Sequence, residues 1–318
     1  MQKYSLEGFI MKKLKKIDMH VHCIEERGIP KLSGHFYPTV KELRDIYDKI
    51  GVEKGVLLPP GTCPEFTTER LSPREAEKIA KDYNDTIGWW FCGIDPRFGS
   101  NNDTTNFSHY LNYYKERGAR GVSEQIANIS LDDKRMLNFF KHCEMCDMSV
   151  TLHFGKEEYD YGVVDDLHLP KLEKVLKMFP DLKIIGHSVR FWSELDASVT
   201  EETRDSYPTG KVKEEGRVAH LMRKYKNLYC DLSSLSGYRA MVRDKEYTYK
   251  FLEEFQDRIF FATDIHDPEN INPDNPAYEM LNLSAFLDEI CEQGHLSYTA
   301  YEKICRKNAL KLLDKSEE

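Results

Sequence analysis

No run of apolar residues in this 318-residue chain approaches the ~20 needed to span a bilayer as a helix. The first ten residues carry Glu7 and lack an apolar core followed by a small-residue cleavage site, so no secretory leader is read. Acidic residues outnumber basic ones by 54 to 45, a formal net charge of −9. That deficit of positive charge argues against a general nucleic-acid binder, which needs a basic surface for phosphates. Phosphate-cradling glycine motifs are missing too: no Gly-x-Gly-x-x-Gly follows the first apolar segment, and there is no Gly-x4-Gly-Lys-Ser/Thr. Serine catalysis lacks its Gly-x-Ser-x-Gly elbow, and Cys23 and Cys230 have no evident His–Asp relay. The eight cysteines do not cluster. The one close pair, Cys143 and Cys146, lies in a helical pattern with no second pair, which reads as core packing among reduced thiols in a cytoplasm.

What is present is a regular alternation. Apolar segments suited to buried strands fall at 16–23, 54–59, 89–96, 119–126, 148–155, 182–188, 227–233 and 258–264. Helical patterns lie between and after them, among them 39–50 with Thr39 as N-cap, Leu43, Ile46 and Ile50 as its apolar stripe and Gly51 as its stop. Further helices are read over 72–86, 108–117, 132–147, 169–179, up to about 224, 246–256, 277–293 and 297–314. The stretch 190–212 reads as a polar loop, solvated by its charges and a candidate lid. Eight strands alternating with helices predict a parallel sheet, and this length suits a (β/α)8 TIM barrel. Residues 1–13 read as an extension, with Met11 an alternative start, and 14–318 as a single barrel domain.

The opening strand, Lys16-Ile-Asp-Met-His-Val-His-Cys23, ends in two histidines at i and i+2, which share a face of a strand. In a barrel the active site sits at the C-terminal ends of the strands. There the sequence offers His20 and His22 on the first strand, Glu124 on the fourth, His153 on the fifth, His187 on the sixth and Asp264 on the eighth. Imidazoles and carboxylates converging on one face are the donor set of zinc or a similar divalent ion. Blander readings exist for each: His153 as a core histidine, Asp264 as a helix cap, Glu124 in a salt bridge with Arg120 or Arg190.

The segments Asp18-Met-His-Val-His22, Leu152-His153-Phe, Ile185-Gly-His187 and Ala262-Thr-Asp264, with the final helix Glu302–Leu313, resemble the amidohydrolase superfamily. The closer resemblance is to its aminocarboxymuconate semialdehyde decarboxylase-like branch, over about residues 14–314. It implies a metal-dependent enzyme in which His20, His22, His153 and Asp264 hold a divalent metal, most often zinc. The resemblance makes His187 a contact to substrate or metal-bound water, or else a ligand of a second ion bridged by Glu124. The expected cofactor is thus one zinc ion, with a two-ion site as the alternative.

The expected reaction is hydrolysis of a C–O or C–N bond (lactone or amide type) in a small, carboxylated substrate. In it the metal lowers the pKa of a water, Asp264 serves as general base, and His187 with the metal polarises the scissile carbonyl and stabilises the oxyanion. A non-oxidative decarboxylase on the same scaffold is the alternative, and a non-catalytic binding barrel the alternative of another class. Arg190 and Trp192, just after the sixth strand, are the candidate substrate contacts, Arg190 as a carboxylate fork and Trp192 as an aromatic wall. The partner expected is a small molecule, with neither nucleic acid nor membrane, and a homodimer is the assembly considered.

Overall fold

The computed structural model describes residues 14–59, 62–64, 70–156, 161–207 and 209–314. The extension 1–13 and Phe66 of the second-strand loop lie outside them. Among the described residues there are nine strands: β1 (Lys16–Val21), β2 (Val52–Leu57), β3 (Ile87–Trp90), β4 (Gly121–Gln125), β5 (Ser149–Gly155), β6 (Val163–Val164), β7 (Ile184–His187), β8 (Leu228–Asp231) and β9 (Ile259–Phe260). All their pairings are parallel, in the orders β1-β2-β3 and β4-β5-β7-β8-β9, with the two-residue β6 attached to β5.

Two seams join these pieces. Cys92 bridges to Val122, and its amide donates to the Gly121 carbonyl at 2.9 Å. At the other seam Val21 pairs with Ile265, and Met19 donates to Phe261 at 3.1 Å. The result is the closed (β/α)8 barrel expected from the alternation. Closing a sheet on itself in this way removes the open edges that an unclosed sheet would present.

Helices α1 (Val40–Ile50), α2 (Pro73–Asp82), α3 (Phe107–Glu116), α4 (Lys134–Met145), α5 (Pro170–Met178), α6 (Val189–Trp192), α7 (Arg217–Lys224), α8 (Ser234–Val242), α9 (Lys245–Glu254) and α10 (Asn282–Glu292) alternate with the strands. Local chemistry explains their ends. Thr39 accepts from the Glu42 amide at 3.3 Å while Glu42 accepts from the Thr39 amide at 2.8 Å, a reciprocal cap, and Gly51 stops α1 at φ 74°. Ser72 and Glu75 start α2 in the same way. Cys143 and Cys146 are buried, as the core reading expected.

The barrel interior is layered. Ile17, Met19, Val56, Leu58, Phe91, Ile185, Phe260 and Ala262 form one apolar cluster drawn from the strands. It is plugged by Ala309, Leu312 and Leu313 of α12 (Asn308–Leu313), which continues from α11 (Tyr298–Glu302). The Trp89 indole donates to Asp314 at 2.8 Å beside this plug. Above the apolar layer lies a polar one, and the change occurs inside β1. The pairing of β1 with β2 slips between Asp18 and Val21. Met19 therefore fills the interior, whereas Asp18 turns outward to the Tyr47 hydroxyl of α1 at 2.7 Å. His20, within the slip, and His22, just after β1, bring their Nε2 atoms together. Such an irregularity re-aims side chains next to a site.

Several expectations need correction. The third and eighth strands end earlier than read, at Trp90 and Phe260, because beyond them the pairing continues only as single contacts such as Cys92 with Val122 and Phe261 with Met19. Helix α8 was not foreseen. Nor is 190–212 a solvated loop from its start: the described residues of 200–211 are mostly exposed, as read, but 191–196 and Arg204 are buried. Its start is α6, with Phe191 and Trp192 fully buried, and Arg204 is 1% exposed, held by the Asp165 carbonyl at 3.3 Å and Glu201 at 3.0 Å.

Gly186, just before His187, shows how packing positions the site. A Cβ there would lie 2.3 Å from the Phe191 ring, which itself stacks on Phe154 at 5.7 Å between centroids. Gly186→Ala is expected to destabilise the fold by ~1–3 kcal/mol through overpacking, measured by denaturant unfolding. A change within error would show that Phe191 can yield freely.

Candidate metal centre

Each group read from the strand ends, except those after β7, comes to one place. His20 Nε2 and His22 Nε2 are 3.2 Å apart. Their other nitrogens are occupied. His22 Nδ1 donates to the Leu58 carbonyl at 2.7 Å, and His20 Nδ1 donates to Asp231 Oδ2 at 3.0 Å. Both Nε2 atoms therefore present lone pairs to the same point, an arrangement that is repulsive unless a proton or a cation sits there. Asp264 Oδ1 lies 3.3 Å from His22 Nε2 and 3.8 Å from His20 Nε2. Glu124 Oε2 lies 3.6 and 3.8 Å from the same two nitrogens. A tetrahedron with bonds of ~2.1 Å has edges of about 3.4 Å, so these separations fit one ion.

The second half is built around the other oxygens of the same carboxylates. Glu124 Oε1 is 2.6 Å from His153 Nδ1 and 3.6 Å from His187 Nε2. Asp264 Oδ2 is 3.8 Å from His187 Nε2. Thus Glu124, 9% exposed, turns one oxygen to the β1 histidines and the other to the β5 and β7 histidines. Neither Arg120 nor Arg190 is its recorded partner.

Asp231, at the end of β8, is the residue the sequence reading missed. It is 1% exposed and accepts from His20 Nδ1 through Oδ2 and from His187 Nδ1, at 3.1 Å, through Oδ1. The Ser233 hydroxyl donates to Oδ1 at 2.6 Å. One carboxylate thereby sets the tautomer of two imidazoles and aims both Nε2 atoms into the site. The available signal was its strand-end position, the same one that singled out the other six.

The electrostatics show what the site wants. Burial alone would push the carboxyls of Glu124, Asp264 and Asp231 up. The facing histidines reverse this and hold all three below the usual carboxylate range. Burial would likewise depress His20, but Asp231 and Glu124 lift it well above the ordinary imidazole value. His187 is raised in the same way by Asp231. Asp231 and Glu124 are buried and Asp264 is partly so, and the charge of these three carboxylates must be matched by the facing imidazoles or by a bound cation, since unpaired buried charge is costly. The donors fit a divalent metal.

Strain marks the same spot. Asp264 has φ 57°, Ser188 φ 90° and Ser234 φ 62°, each a non-glycine residue in or beside the site. Such conformations cost about 1–3 kcal/mol each and persist where the surroundings hold them. Here the Asp264 amide donates to the His20 carbonyl at 2.8 Å, and the Ser188 hydroxyl donates to the Phe154 carbonyl at 2.9 Å.

The centre opens into a cavity of about 230 Å3 lined also by Lys31, Tyr37, Pro59, Ile126, Tyr161 and His266. A larger cavity, about 640 Å3, lies beside the end of β3, but no metal-competent cluster among the described residues adjoins it. The expected substrate contacts are not among those lining the smaller cavity. Arg190 is 4% exposed and its guanidinium pairs with Asp205 at 2.5 and 2.9 Å. Trp192 is fully buried against Phe191 and Phe251, and its indole N–H has no acceptor among the described residues. Both are held by the fold because α6 packs inward rather than lining the mouth.

Comparison with known proteins agrees with this architecture. A family model described as Amidohydrolase matches residues 17–315. No curated protein matches the sequence. Among solved structures, a probable 2-pyrone-4,6-dicarboxylic acid hydrolase of Acinetobacter baumannii with citric acid bound is 15% identical, with TM-score 0.53, over 94% of this chain and 99% of that one. The 5-carboxyvanillate decarboxylase of Sphingomonas paucimobilis is 14% identical, with TM-score 0.57, over 94% and 99%. A dihydroxybenzoic acid decarboxylase of Polaromonas, with manganese and 2-nitroresorcinol bound, is 16% identical, with TM-score 0.51, over 96% and 98%. At these identities the likeness concerns the fold.

Asp231→Asn keeps the shape but removes the charge and one acceptor. It is expected to weaken metal retention about 10- to 100-fold, read by chelator competition. Wild-type retention in this variant would remove Asp231 from the centre.

Proposed function

The chain belongs to the amidohydrolase family, and we propose that it is a hydrolase of a C–O or C–N bond in a small substrate, working with two divalent ions. The observation that carries this reading is the division of Glu124, whose two oxygens face two separate histidine pairs. His20, His22 and Asp264 would hold one ion, His153 and His187 the other, with Glu124 shared. Zinc suits this nitrogen-and-oxygen donor set best.

When bound, the ions supply Lewis acidity and make water a nucleophile near neutral pH. The chain supplies the rest. Asp264, held ionised and aimed by its strained backbone, takes the proton of the attacking water and returns it to the leaving oxygen or nitrogen. As water oxygen bonds to the acyl carbon, the bond to the leaving group breaks, so no further reactant is needed. Asp231 keeps His20 and His187 oriented through the cycle. Tyr37, Ile126 and Pro59 narrow the cavity and limit the substrate to a small one.

A second reading, decarboxylation, is favoured by two of the similar structures, whose names are those of decarboxylases of aromatic acids. A screen of lactones against aromatic carboxylic acids separates the two. Ring opening with uptake of water is expected, whereas release of CO2 without it would overturn hydrolysis.

Elemental analysis of the native protein is expected to give two metal equivalents per chain, and one or fewer in Glu124→Gln. Two equivalents retained in that variant would remove the bridge. Asp264→Asn should lower kcat by about 10²- to 10⁴-fold on any substrate found.

A further inference from the structure

Displacement of Arg190 from the cavity leaves the recognition of an acidic substrate to another residue. The loop between β1 and α1 supplies one. Residues 25–30 and 32–35 are exposed, yet Lys31 between them is partly buried and turned inward. A tight turn points it there. The Lys31 amide donates to the His35 carbonyl at 2.7 Å, and the Gly34 amide, at φ 84°, donates to the Lys31 carbonyl at 2.8 Å. The turn is pinned across the mouth by His35 Nδ1 and Asp267 Oδ2 at 2.8 Å.

Lys31 Nζ donates to the carbonyl of His266 and lies 4.3 Å from the centroid of the Tyr37 ring. Among the described residues lining the cavity it is the only lysine or arginine. Burial pulls its ammonium down to about 8, opposed by the charges of Asp267 and Asp264. An ammonium has three N–H donors, and the recorded carbonyl takes one, so the group retains capacity for an incoming anion.

We propose that Lys31 is the specificity-determining residue of this site, binding a second acidic group, a carboxylate, of a substrate whose reacting end is presented to Glu124 and Asp264. This rests on reading the cavity as the substrate site and adds the class of substrate: compact acids with a carboxylate on the side away from the reacting group. The aromatic and apolar walls at Tyr37 and Ile126 suit a flat spacer between the two ends.

The test is calorimetric titration of isophthalate and benzoate into metal-loaded wild type, Lys31→Met and Lys31→Arg, with metal content and thermal unfolding measured beside it. Benzoate carries one acid group and isophthalate two on the same ring. Wild type should prefer isophthalate. Lys31→Met should lose that preference by about 10- to 100-fold, the weight of one charged hydrogen bond, with metal content unchanged, while Lys31→Arg keeps it within about threefold. Equal loss for both ligands, no loss for either, no preference in wild type, or falling metal content in Lys31→Met would each overturn the assignment. The same titrations on metal-stripped protein separate the two readings. Benzoate binding that is indifferent to metal would count against the metal centre, whereas the isophthalate-to-benzoate ratio still reports on Lys31.

Discussion

The seam between the first strand and the segment after the last one is the constraint on which the rest depends. Asp18 carries it. Its carboxylate accepts from the Thr263 amide at 2.9 Å and the Thr263 hydroxyl at 2.6 Å, residues 245 apart in the chain, and also from Tyr47 and the His20 amide. Burial raises this carboxyl to about 6 despite the four donors. On either side of the knot lie His20 and His22, and Asp264. The two ends of the barrel are thereby locked in the register that lets distant donors meet.

From that seam the site is assembled in tiers. Asp18 holds the backbone of β1 against Thr263. Asp231 holds the rings of His20 and His187. Glu124 and Asp264 then divide their oxygens between the two halves of the centre. Each tier leaves the next with little freedom, so the donors are arranged before any cation arrives and little reorganisation is required on binding. The strained residues Asp264, Ser188 and Ser234 belong to the same logic, since tertiary contacts hold them where local preference would not.

The mouth of the barrel is shaped by different forces. The loop bearing Lys31 is anchored by a turn and by His35 with Asp267, not by apolar burial. Segment 190–212 does the reverse. Its start buries Phe191 and Trp192 as part of the wall, and Arg204 is buried further on, while most of the described residues around Arg204 stay exposed. A charged stretch read from composition alone gives no hint of this, because Arg204 finds its carbonyl partners at Asp165 and Asp166, on the connection leading into α5.

Strand and helix alternation, the capped start and glycine stop of α1, and the six donors at strand ends are local or periodic features, and the sequence by itself determined them. Strand periodicity also placed His20 and His22 on one face. Asp231 was legible only as one more strand-end acid, because its role comes from two rings contributed by β1 and β7. The fates of Arg190 and Trp192 were decided by the tertiary structure alone: whether a side chain after a strand faces the cavity or the core depends on how α6 packs. Likewise the division of Glu124 between two pairs of histidines is a matter of distances across the barrel. Periodicity carries information along the chain, whereas those distances are set by closure, which brings together atoms that no local pattern relates.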